Sequence, residues 1–120
     1  MICRCIPALL VLPALAFGSA ALAHSTVVRS SPAANSTLQN APREVAILFS
    51  ERVDASADAI VVQDASGARV DEGNARAENN GRGVRTTLKP LAGGTYKVNW
   101  KIRSADGHTA DGTFTFRVRP

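Results

Sequence analysis

Along residues 96–102 an apolar side chain falls at every second position: Tyr96, Val98, Trp100 and Ile102, separated by Lys97, Asn99 and Lys101. A period of two puts one set of side chains on one face of an extended chain, so this stretch is satisfied as a strand with one face covered and the other in water. Phe114, Phe116 and Val118 repeat the pattern against Thr113, Thr115 and Arg117, and Val45, Ile47 and Phe49 alternate with Ala46, Leu48 and Ser50. Residues 60–63 form a β-branched run, residues 84–88 a weaker one, and residues 26–29 a candidate first strand. Turn formers punctuate these runs: Ser31-Pro32-Ala33-Ala34-Asn35, Asn40-Ala41-Pro42, Ala65-Ser66-Gly67, Asn79-Asn80-Gly81, Gly93-Gly94 and Asp106-Gly107. No segment carries a sustained helical stripe. About seven short strands at such spacing predict an all-β fold, a single Ig-like antiparallel β-sandwich or Greek-key β-barrel. Trp100 is expected in its core, and the Gly- and Asn-rich stretch 71–83 is expected as a mobile loop.

The start of the chain reads differently. A short basic opening (Arg4) precedes a nearly continuous apolar run over residues 6–16, and Ala21-Leu22-Ala23 gives the small-x-small pattern of a signal-peptidase site. Residues 1–23 are therefore expected as a cleaved signal peptide and residues 24–120 as the mature domain, periplasmic and without a membrane span. Cys3, Cys5 and the single methionine, Met1, all lie in the leader. The mature domain then has no disulfide, no thiolate nucleophile and no thiolate metal site. Cys3 and Cys5 precede the apolar run, whereas lipidation needs a cysteine at the cleavage point, so a lipoprotein is excluded.

The formal net charge of +4 comes from 14 basic and 10 acidic residues scattered along the chain. No basic run resembles a nucleic-acid footprint, and no nucleic-acid partner is expected.

Two histidines remain, and both stand where chemistry can use them. Cleavage after Ala23 makes His24 the first residue, able to offer its α-amine and an imidazole nitrogen to one divalent ion. His108 follows Asp106 by two, and in an extended segment those positions face one side. Amine, two imidazoles and a carboxylate form a nitrogen–oxygen set without sulfur, which suits Cu(II) above other first-row ions. Blue-copper chemistry is excluded for want of a cysteine, and a closed zinc site is less apt. A plainer reading stands beside this one: a histidine at a cleavage point is also a frayed terminus, and Asp-Gly-His is also a tight surface turn.

The flanking residues carry a resemblance. Residues 94–100 (GTYKVNW), 104–108 (SADGH) and 112–118 (GTFTFRV), with Ser30-Ser31-Pro32-Ala33 and Leu48-Phe49-Ser50-Glu51 upstream, resemble the CopC family of periplasmic copper-resistance proteins over residues 24–118. That resemblance implies a Cu(II) site formed by His24, Asp106 and His108, one ion per chain, with Glu51 nearby in a second shell. A charged residue simply ending a strand explains Glu51 equally well. Many relatives add a Cu(I) site in a methionine-rich loop; residues 63–84 here contain neither Met nor His, so a Cu(II)-only type is expected.

The function implied is that of a periplasmic Cu(II) carrier or sequestering protein in copper resistance and homeostasis. It is expected to be a monomer, not an enzyme, exchanging copper with an inner-membrane copper transporter of the CopD-like kind. Two alternatives carry different expectations. A copper-dependent oxidative enzyme of the N-terminal-histidine type needs exposed aromatic residues for a glycan, and Phe49, Tyr96, Trp100, Phe114 and Phe116 all sit at inward strand positions. An Ig-like interaction module without metal needs no defined copper stoichiometry.

Overall fold

A computed structural model describes residues 25–120; the leader and His24 lie outside the described residues. Among those described there is no helix, and nine strands follow one another: β1 (Val27–Ser31), β2 (Thr37–Leu38), β3 (Glu44–Phe49), β4 (Val53–Asp54), β5 (Ile60–Gln63), β6 (Arg76–Glu78), β7 (Gly83–Thr87), β8 (Gly94–Ser104) and β9 (Thr109–Val118). They make two sheets. One has the order β1-β3-β7-β6; the other runs β2-β9-β8-β4, with β5 pairing further along β8. All pairings are antiparallel except β2 with β9.

The alternating residues meet between the sheets as their spacing demands. Val45, Ile47 and Phe49 of β3 and Val84 of β7 face Ile60, Val62, Tyr96, Val98, Ile102, Phe116 and Val118 of the other sheet, all buried. Tyr96 stacks on Phe116 with ring centres 5.3 Å apart.

Four details differ from expectation within the expected all-β sandwich. Two of the nine strands are only two residues long, too short to leave a pattern in the sequence. Trp100 is not swallowed by the core. It packs edge-on against Phe49 at 5.2 Å but remains half-buried, because its indole runs out over Gly112 on the neighbouring strand. Phe114 is half-buried as well, so the aromatic residues are not all enclosed. The stretch 71–83 is no simple loop: it contains β6 and begins at Asp71, whose side chain has no solvent exposure. Asp71 accepts hydrogen bonds from the Val62 and Gly73 N–H groups at 2.9 and 3.0 Å and from Arg69, which reaches on to Asp58 at 2.7 Å. Burial alone pushes the Asp71 carboxyl up, but these donors outweigh it and hold the group below its ordinary value.

The long β8–β9 hairpin matters most for function. Its register runs without a slip from Gly94↔Val118 to Arg103↔Thr109 and places the turn over residues 104–108 at one end of the sandwich.

Candidate metal centre

Asp106 and His108 come together, though not by the route expected. They do not lie in an extended segment. The chain reverses here: Ser104 N–H donates to the His108 carbonyl at 2.8 Å, Gly107 N–H donates to the Ser104 carbonyl at 2.9 Å, and Gly107 takes φ of +90°. A three-residue hairpin loop closed by a residue with positive φ favours glycine at that place, because a Cβ there is strained.

Within this turn Asp106 is held from three directions. Its Oδ1 accepts the Ser104 hydroxyl at 2.7 Å and the His108 backbone N–H at 3.1 Å, while its Oδ2 lies 3.0 Å from His108 Nδ1. The Ser104 hydroxyl, then the His108 backbone N–H and ring, hold the Asp106 carboxyl well below the usual carboxylate range. His108 Nδ1 and Asp106 Oδ2 therefore face each other at 3.0 Å, a nitrogen and an oxygen donor side by side on one turn. Both side chains are substantially exposed, at 39% for Asp106 and 57% for His108, so an ion can reach them from solvent.

Two other segments are brought to the same end of the sandwich. Val53 of β4 pairs with Ser104, which sets the Ser50–Glu51–Arg52 connection beside the turn. Ser50 in turn ties down the start of the described chain. Its N–H donates to the Thr26 carbonyl at 2.9 Å, and its Oγ accepts the Thr26 N–H at 3.0 Å. Ser25, the residue that follows His24, is buried. Glu51 is exposed and, among the described residues, has no hydrogen-bond or ion-pair partner. No third His, Cys, Asp or Glu among the described residues joins Asp106 and His108. The structure thus unites two of the four residues singled out, places Glu51 in the adjacent connection without a hydrogen bond or ion pair to them, and leaves His24 outside the described residues.

The serines were missed as site residues. Ser104 locks the aspartate, and Ser50 fixes the incoming terminus. A Ser two residues before an Asp in a Gly-containing turn is the signal that points to Ser104. Nothing local marks Ser50, whose partner is 24 residues away.

A nitrogen and an oxygen donor on one rigid turn, with no sulfur, fit a borderline divalent ion such as Cu(II). The molecule is therefore a small β-sandwich with a histidine–carboxylate donor pair at the tip of its longest hairpin. The CopC domain family matches this chain over residues 27–119, and the chain belongs to that family. "Copper resistance protein C" of Pseudomonas syringae pv. tomato is 34% identical over 106 residues, 82% of this chain and 83% of that protein. "Copper transport protein CutJ" of Bacillus subtilis (strain 168) is 35% identical over 98 residues, 80% of this chain but 18% of that much longer protein. Among solved structures, CopC from Methylosinus trichosporium OB3b has a TM-score of 0.72 at 30% identity, covering 81% of this chain and 95% of that one. PcoC, described as a methionine-rich copper resistance protein from Escherichia coli, has a TM-score of 0.68 at 25% identity, covering 81% and 100%.

Proposed function

We propose that this protein binds one Cu(II) per chain in the periplasm and acts in copper resistance as a carrier or sequestering protein. The observation that carries this reading is the preformed Asp106–His108 pair on a hairpin tip, at the end of the sandwich to which the Thr26–Ser50 tie delivers the chain from His24. His24 supplies its amine and ring once the leader is removed, His108 an imidazole nitrogen, and Asp106 the Oδ2 oxygen. The family and its copper-named relatives support copper as the ion. The lack of methionine in residues 63–84 supports a Cu(II) site alone, in contrast to a protein described as methionine-rich.

Carriage requires tight binding and release to a partner, and no reaction. An inner-membrane copper transporter is the partner proposed. A copper-transport relative in which such a sequence makes up 18% of a longer chain supports that pairing.

The test is a Cu(II) titration followed by electron paramagnetic resonance on two forms, one beginning at His24 and one with a single residue added before it. Tight one-to-one binding with a nitrogen-rich tetragonal spectrum, lost or altered by the extension, is expected. Equal, weak binding by both forms overturns the reading and favours an interaction module without metal.

A further inference from the structure

Ser25 is 4% exposed, and among the described residues its Oγ is a buried side-chain polar atom with no hydrogen-bond partner. A buried hydroxyl left unpaired costs stability and calls for an explanation, and a partner that arrives in another state of the protein is one. Its neighbours narrow the choice. Thr26, the next residue, is pinned to Ser50 through both backbone and side chain, which anchors the chain next to Ser25. The residue before it is His24, and the connection beside it continues into Glu51 and Arg52, adjoining the turn of Asp106 and His108. An unsatisfied hydroxyl thus lies one residue before the Thr26–Ser50 tie, at the same end of the sandwich as the Asp106–His108 turn.

We infer that Ser25 is a positioning residue for that centre: its hydroxyl donates a hydrogen bond to an oxygen in the coordination sphere of the bound ion. Outer hydrogen bonds of this kind orient ligands and raise metal affinity. The inference rests on the copper reading of the site. It adds that the metal-free protein tolerates an unpaired hydroxyl that the loaded protein uses.

The two states make the test two-sided. The exported, processed protein, with its first residue verified by mass, is compared with Ser25→Ala and Ser25→Thr. Cu(II) affinity is measured by competition with a chelator, the resonance spectrum is recorded, and the metal-free forms are melted. Ser25→Ala is expected to weaken Cu(II) binding about tenfold and shift the copper hyperfine splitting, while the metal-free protein melts no lower than the parent. Ser25→Thr, which keeps the hydroxyl, is expected to restore the parent spectrum. Parent-like affinity and spectrum in Ser25→Ala overturn the inference. So does a lower metal-free melting temperature with unchanged affinity, which assigns the hydroxyl to the fold. Failure of the parent protein itself to bind Cu(II) instead overturns the copper reading on which the inference stands.

Discussion

Gly112 lies directly under the indole of Trp100: a Cβ built on this glycine falls 2.5 Å from Cζ2 and 2.9 Å from Nε1 of the ring. The two residues are cross-strand partners in β8 and β9, so the ring crosses its own neighbour and reaches the side of the sandwich. There it borders a shallow groove of about 410 Å³ with Asp58, Asn99, Lys101 and Asp111. Gly112→Ala is expected to displace the indole and destabilise the fold by roughly 1–3 kcal/mol, the usual range for overpacking. Urea unfolding measures the loss, and the emission of this single tryptophan should shift in the native state before any unfolding.

Asp71 gives a prediction with a defined pH sign. Its folded carboxyl titrates below the ordinary value, so its stabilisation is present above the unfolded value of about 3.9 and disappears as pH falls through the folded one. Melting temperature should therefore hold steady down to about pH 4 and fall below it. Asp71→Ala leaves the Val62 and Gly73 N–H groups without their acceptor and is expected to cost about 2–3 kcal/mol at neutral pH. Asp71→Asn keeps one acceptor oxygen, so it should cost less and flatten the acid limb of the melting profile.

Copper binding should show the opposite separation of groups. Protons compete with the ion for the amine and imidazole nitrogens, so affinity is expected to fall from neutral pH to about pH 5. Asp106, held ionised by Ser104 and His108, contributes nothing to that slope. An affinity that stays flat across this interval shows that nitrogen donors do not hold the ion.

Ser104→Ala separates the turn from the hairpin. The hydroxyl donates to Asp106 and approaches the His108 carbonyl at 2.9 Å, while the backbone bonds closing the loop need no side chain. The hairpin should persist with a stability loss of about 1 kcal/mol. Cu(II) affinity should drop about tenfold because Asp106 loses its strongest constraint. Heteronuclear shifts of residues 104–108, compared with those of β8, check both halves of the claim.

The sandwich was legible wherever a strand keeps one face dry. Tyr96, Val98 and Ile102 are buried as their alternation requires, as are Val45, Ile47 and Phe49. Strand β6 was not legible, since Arg-Ala-Glu at a sheet edge buries no apolar side chain and leaves no period. Asp71 was hidden for a related reason: a polar residue in a polar stretch reads as solvated, and only three-dimensional closure over β5 reveals that its partners lie inside. Asp106 and His108 lie side by side through a glycine-closed turn, not through the shared strand face that their spacing suggested. Glu51 was legible only as a neighbour of the site, because its position depends on β4 pairing with the end of β8.

The uneven sequence separations around the hairpin tip also set an order of events in folding. Residues 104–108 need only β8 and β9 to meet, a local closure that forms in microseconds for an isolated hairpin. Thr26 reaches Ser50 only when β1 has docked on β3, and Val53 reaches Ser104 only across 51 positions of chain. Contacts between residues far apart in sequence are the slow ones. The aspartate–histidine pair can therefore be assembled early in a folding chain, whereas joining it to the segment that carries Ser25 also requires the long-range pairings. On the proposed copper reading, capture of the ion then becomes a report that the whole sandwich has closed.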